Sequence, residues 1–174
     1  MKRRMKVALC VLVGVLSVAV PAGPALANLP GGGGVGHTPA QCLTGAVGPY
    51  TLVGQWKAAA NGKTISLYCG DPTKGVLHID ESHPVVENIT GTPTDAYFLA
   101  CLYYVFHFGR VIGTGNTAGS HVYSMEYSNS INSDQARAVV RDSDGYILTA
   151  WPNTYVGDFN WYACAVAPDH HRAP

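Results

Sequence analysis

Four cysteines, Cys42, Cys69, Cys101 and Cys164, are spread over almost the whole chain beyond its first thirty residues, and they constrain the fold more than any other feature. An even set of thiols, paired, closes loops of tens of residues, with each bridge worth roughly 2 to 4 kcal/mol. Such pairing needs an oxidising compartment. Four cysteines admit three connectivities, and sequence leaves all three open. No C-x-x-C pair is present, so a zinc site on these thiols is not expected.

The fifth cysteine, Cys10, lies in a segment of a different kind. Lys2, Arg3, Arg4 and Lys6 make a basic start, Val7 to Val20 is a 14-residue apolar core, and Ala25-Leu26-Ala27 is a small-x-small cleavage site. This pattern predicts a secretory signal peptide over residues 1–27. Its core is shorter than the roughly 20 residues that span a bilayer, and Pro21 and Pro24 follow directly. Nothing after it is long and apolar enough to cross, so the expected product is extracellular, with no membrane attachment once the signal is removed. The whole chain of 174 residues balances 11 Lys+Arg against 11 Asp+Glu, whereas the mature chain from Asn28 keeps 7 against 11, a net charge of −4. With 47% apolar and 13% charged residues, intrinsic disorder is excluded as the state of the whole.

Residues 28–40, with Gly31 to Gly34 and flanking prolines, read as a flexible lead-in, and residues 168–174 as a disordered tail. Between them, residues 41–167 form one compact domain. Thr64 to Cys69 alternates as a strand. Asp71-Pro72 reads as the start of a short helix over 73–83 that Pro84 ends. Thr94-Asp95 precedes an apolar run from Ala96 to Phe108, which reads as a buried helix closed by Gly109. His121 to Tyr127 alternates, and Ala136 to Arg141 pairs with Tyr146 to Trp151 through Asp142-Ser143-Asp144-Gly145, where Asp-Gly favours a hairpin. Phe159 to Val166 is expected as the last strand, and Gly113 to Asn116 as a turn. The order gives an α+β fold, in which N-terminal helices pack on an antiparallel meander held by disulfides.

Among the seven histidines, those with reactive neighbours are His78 and His83, on the short helix with Lys74 one turn earlier. Spacing i, i+4 puts Lys74 and His78 on one face, while His83 is rotated about 140° from His78. Such a set suits RNA cleavage by the RNA's own 2′-hydroxyl. That chemistry needs a base, an acid and cations on the phosphate, and no metal or other cofactor. Histidine titrates near neutrality and serves both proton transfers, while Lys and Arg stabilise the charge that builds on phosphorus. Asp80 between the histidines supplies a third metal-ligand type, but the set matches no recognised ligand spacing. His107, inside the apolar run, reads as structural.

The segment Lys74-Gly75-Val76-Leu77-His78-Ile79 with His83-Pro84, and the hairpin from Arg137 to Pro152, together resemble a superfamily of small endoribonuclease toxins. It groups barnase, EndoU, the nuclease colicins and RelE. The resemblance runs from Lys74 to Tyr155, and Trp151 stands where tyrosine is commoner. It implies His78 and His83 as the catalytic pair, with His121 as the alternative second histidine, and Thr149 on the scissile phosphate. Lys74, Arg137 and Arg141 would bind substrate phosphates, and Trp151 and Tyr155 would stack on a base. Residues four apart on a strand share a face, so both arginines or neither should line the cleft. The substrate would be RNA and not DNA, and an immunity or inhibitor protein is the partner that a toxin implies. The competing expectation is a non-enzymatic binding or inhibitor module held by two disulfides, in which no common cleft collects Lys74, His78 and Thr149. No G-x-S-x-G, H-E-x-x-H or P-loop motif points to another hydrolase.

Overall fold

The computed structural model describes residues 36–88, 91, 93–129, 132–153 and 160–172. The expected signal peptide, most of the lead-in, and Tyr155 lie outside them. The described residues form, in order, α1 (Pro39–Leu43), β1 (Leu52–Lys57), β2 (Thr64–Tyr68), α2 (Gly75–Ser82), α3 (Ala96–Phe108), β3 (Arg110–Thr114), β4 (Ser120–Asn129), β5 (Asn132–Arg141), β6 (Ile147–Asn153), α4 (Trp161–Val166) and β7 (Asp169–Arg172). The fold is α+β. β1 and β2 pair as an antiparallel hairpin, and β3-β4-β5-β6 form an antiparallel meander. β5 runs along one edge of β4, so β3 and β7 share the other edge, opposite residues 121–124 and 125–128.

Alternation in the strands divides the sheet into two faces. Tyr123, Met125 and Tyr127 of β4, Ala136, Ala138 and Val140 of β5, and Ile147 and Ala150 of β6 are buried in the main core. Against them lies α3, whose Phe98, Ala100, Cys101, Leu102, Val105 and Phe106 are all buried. The alanines of β5 and β6 make room for its aromatic rings. The other face carries a small apolar cluster, Val139, Tyr146 and Leu148, and is otherwise open. Disulfides join Cys42 to Cys69 and Cys101 to Cys164, tying α1 to the end of β2 and α3 to α4.

The helix from Ala96, the hairpin strands and β2 stand where sequence placed them, and five segments differ. Residues 161–166 form a helix, not a strand. Trp161, Cys164 and Ala165 are buried at helical spacing, and Asn160 caps Ala163 N at 2.7 Å. The Glu87 carboxylate accepts from the N–H groups of Trp161 and Tyr162, at 2.7 and 2.8 Å. These bonds satisfy donors that a helix start otherwise leaves unpaired. The expected disordered tail instead supplies β7, because the second half of the β4 edge needs a partner and His170 stacks on Tyr104 with centroids 3.7 Å apart. The lead-in ends at Thr38, whose hydroxyl caps α1. Gly113 and Thr114 belong to strand β3, and only the residues after them turn.

Helix α2 also starts later than Asp71-Pro72 suggested. Asp71 closes a turn, with backbone bonds to Lys74 in both directions and its carboxylate on Thr73 N at 2.9 Å. The helix begins at Gly75, whose φ of +76° and whose approach to Tyr68 O, 2.6 Å from where a Cβ would sit, exclude a side chain.

The Cys101–Cys164 bridge closes a separation of 63 residues between two fully buried positions. Loop closure of that length contributes roughly 4 kcal/mol. The double variant Cys101→Ala, Cys164→Ala should lose about 3–5 kcal/mol in urea unfolding, and an unchanged midpoint would contradict this account.

Candidate functional site

The open face of the sheet forms the floor of a cleft of about 440 Å³. Thr73 and His78 line one wall, Asn116 and Thr117 another, and Arg137, Thr149 and Trp151 rise from β5 and β6. The pairing of β5 with β6 shows why. Val139 faces Thr149 and Arg137 faces Trp151, while Val140 faces Ile147, so Leu148 is an extra residue in β6. This bulge shifts the alternation, so that Ile147 stays in the core while Leu148, Thr149 and Trp151 all reach the cleft. A second bulge in β3, between Val111 and Gly113, borders the same cleft.

His78 is held by the turn before its helix. Its Nδ1 lies 2.9 Å from the Pro72 carbonyl oxygen. A carbonyl only accepts, so Nδ1 carries a proton, and in the neutral ring Nε2 is the acceptor. The Asp71 carboxylate fixes that turn. Its ion pair with Lys74 at 2.8 Å, and then its bonds from Thr73, hold it well below the usual carboxylate range. The turn orients the imidazole, and the imidazole's second nitrogen is left to work.

Arg137 supplies the cleft's cation. Its Nη2 donates to Gln135 Oε1 at 2.6 Å, and Gln135 Nε2 donates to Glu126 at 3.3 Å. Lys63, Lys74 and Arg141 each form an ion pair, with Asp142, Asp71 and Asp144. Among the described residues Arg137 forms none, and its buried Nε has no hydrogen-bond partner among them. Ser124, opposite Arg137 in register and fully buried, likewise has no partner for its Oγ among the described residues. No carboxylate appears among the described residues lining the cleft. Three cations of an acidic chain are thus paired with carboxylates elsewhere, while Arg137 at the cleft forms no ion pair among the described residues.

The structure brings together His78, Arg137, Thr149 and Trp151 in one cleft, and places His83, His121, Lys74 and Arg141 elsewhere. His83 caps the end of α2 beside α4, where its carbonyl accepts from Trp161 Nε1 at 3.5 Å. His121 precedes the cleft-facing Val122 in β4 and so turns to the opposite face, where its Nδ1 meets Asp142 Oδ1 at 2.6 Å. That bond, more than the nearby Lys63, lowers the Asp142 pKa. Lys74 and Arg141 line a neighbouring depression. Arg141 does share a strand face with Arg137, but Val139 lies between them and Asp144 holds the Arg141 guanidinium at 2.6 and 3.0 Å. Sharing a face therefore did not put both arginines in one cleft. Thr73, Asn116, Thr117 and Ser124 were not foreseen. Thr73 had a signal in the Asp-Pro-Thr turn, whereas Asn116 and Thr117 looked like any residues of a glycine-rich turn. Among the described residues no group of three or more His, Cys, Asp or Glu is placed to hold a metal ion. No family model matches the chain, and no curated protein matches it.

Burial depresses the His83 pKa below its ordinary 6.5. The stability that neutral His83 contributes is therefore complete above 6.5 and lost as pH falls through the lowered folded value. His83→Gln should make the fall in urea midpoint below pH 6.5 less steep than in the parent. Equal steepness in the two proteins would remove His83 from the acid response.

Proposed function

We propose that the protein is a secreted, metal-independent endoribonuclease of toxin type, which cuts RNA in the His78 cleft. The observation that carries this is the convergence of His78 from α2 with Arg137, Thr149 and Trp151 from the late hairpin, in a cleft without a lining carboxylate among the described residues. A polyanion is admitted by such a lining and repelled by an acidic one. Support for export comes from the signal-like start and from two disulfides, which fit an oxidising compartment. Among the described residues no helix is long and apolar enough to cross a membrane.

In the proposed step, His78 Nε2 takes the proton of a ribose 2′-hydroxyl as that oxygen attacks the adjacent phosphorus. Arg137 and the Thr149 hydroxyl donate to the non-bridging oxygens, where charge accumulates. The bond from phosphorus to the 5′-oxygen breaks, leaving a 2′,3′-cyclic phosphate and a 5′-hydroxyl. Neither His83 nor His121 lines the cleft, so we assign protonation of the departing oxygen to water at the cleft mouth. Trp151 offers its ring to a base.

A non-enzymatic exported binding module is the second reading, favoured by the scattering of the other histidines and by the absence of Lys74 from the cleft. Cleavage separates the two. The disulfide-bonded protein should cut RNA in the presence of a chelator, leave cyclic phosphate ends and spare DNA, which lacks the attacking hydroxyl. His78→Ala should lower kcat by ~10² to 10⁴, and Arg137→Ala by ~10² to 10³. If the protein cuts no RNA, the binding module stands instead; if His78→Ala cuts as fast, the His78 mechanism falls.

A single histidine base also dictates the pH dependence. Its protonated form is inactive, so kcat/KM should rise from the acid side to a plateau. A bell-shaped profile would require a second titrating acid and refute the water assignment.

A further inference from the structure

Beside the His78 cleft lies a second depression of about 380 Å³, lined by Tyr50, Tyr68, Lys74, Arg141, Asp144 and Tyr146. The two adjoin. Thr73 lines one and Lys74 the other, and Val139 and Leu148 of the cleft pack in one apolar cluster with Tyr146 of the depression. A chain that fills the cleft and continues past that cluster enters the depression.

Its lining combines rings with cations. Tyr68 and Tyr146 stack, with centroids 4.9 Å apart and planes at 28°, and the Arg141 guanidinium sits 5.2 Å over the Tyr146 ring. Tyr50, at 86%, is the most exposed large apolar residue among those described. A lone exposed ring is ordinary on a protein surface, but this one stands beside two positioned cations. Asp71 holds Lys74 at 2.8 Å and Asp144 holds Arg141 at 2.6 Å. Each carboxylate fixes its cation and leaves donors over, since an ammonium has three N–H groups and a guanidinium five. Asp144 faces the same depression, which keeps anion binding weak and sensitive to salt.

We propose that this depression is a second subsite, which takes a neighbouring nucleotide of single-stranded RNA, with its phosphate on Lys74 and Arg141 and its base on the Tyr50 ring. The identity of the ligand rests on the nuclease reading, whereas the presence of the subsite can be tested without catalysis. A free base face is needed for stacking, so a single strand is the form that fits.

The test is binding of a long single-stranded deoxyoligonucleotide, which cannot be cut, and of a dinucleotide, by the disulfide-bonded protein in fluorescence anisotropy. The double variant Tyr50→Ala, Arg141→Ala should bind the long strand about tenfold to a hundredfold more weakly and the dinucleotide as the parent does. Its salt slope on the long strand should fall by about 0.7, the share of one phosphate contact. Tyr50→Phe, which keeps the ring, should bind like the parent. Unaltered long-strand binding in the double variant, with a circular dichroism spectrum like the parent's, would overturn the subsite, and so would a parent protein that binds no strand. A parent that binds the strand with this variant response, yet cuts no RNA, would sink the nuclease reading and leave the subsite standing.

Discussion

Burial of α3 sets the position of everything else. The helix presents apolar side chains around most of its circumference, so no single surface can cover it. The core face of the sheet covers one side with Tyr123, Met125, Ala136 and Ala138, and α4 covers another, where Trp161 meets Phe98 edge-on with centroids 4.7 Å apart. Trp56 from β1 packs on Phe106 at 5.7 Å. A sheet committed on one face to such a helix keeps the other face for use. There Val139, Tyr146 and Leu148 form a buried apolar cluster, with Tyr68, Val122 and Trp151 packed against it, between two concave regions.

The cysteines reinforce this arrangement at its two weakest joints. Helix α1 has five residues and α4 has six, each too short to be stable alone in water. One disulfide fastens each to a larger element. Glu87 does similar work without covalent bonds, by accepting two N–H groups at the start of α4. Burial nevertheless pushes its pKa up, because desolvation outweighs those two bonds. The loop after α2, the last helix and His83 are therefore one structural unit, which explains why His83 is engaged there and not at the cleft.

The period of each buried surface decided what the sequence could reveal. The β5–β6 hairpin carried a strong signal in its Asp-Gly turn, and the long apolar α3 run closed by Gly109 read as a helix although its aromatic content also suits a strand; both stand as expected. Residues 161–166 alternate plausibly, but three capping bonds from Asn160 and Glu87 make the helix, and Glu87 is more than seventy residues away. At the site, His78 was readable from residue type and spacing, and Thr149 only through the resemblance of the hairpin. Their company was not, because the bulge at Leu148 changes which residues reach the cleft, and no residue there announces a bulge. His83 and His121 lie away from the His78 cleft for other reasons: one sits at a helix end captured by another element, and the other turns to the opposite side of a regular strand.

Charge placement removes the apparent conflict between an acidic chain and the polyanionic ligand proposed for it. Affinity for phosphate depends on the field inside a cleft more than on the net charge of the molecule. Lys63, Lys74 and Arg141 are each matched with a carboxylate, and those carboxylates lie outside the His78 cleft, so the pairing withdraws negative charge from it as well as positive. Arg137 is instead held by an uncharged amide, Gln135. An amide orients a guanidinium without neutralising it, whereas a carboxylate would do both. The distinction between the two depressions then follows from their partners. The first keeps a full positive charge in the cleft that His78 lines, where the proposed transition state would gain charge. The second keeps only the residual donors of two neutralised pairs, which suits holding a strand and not cutting it.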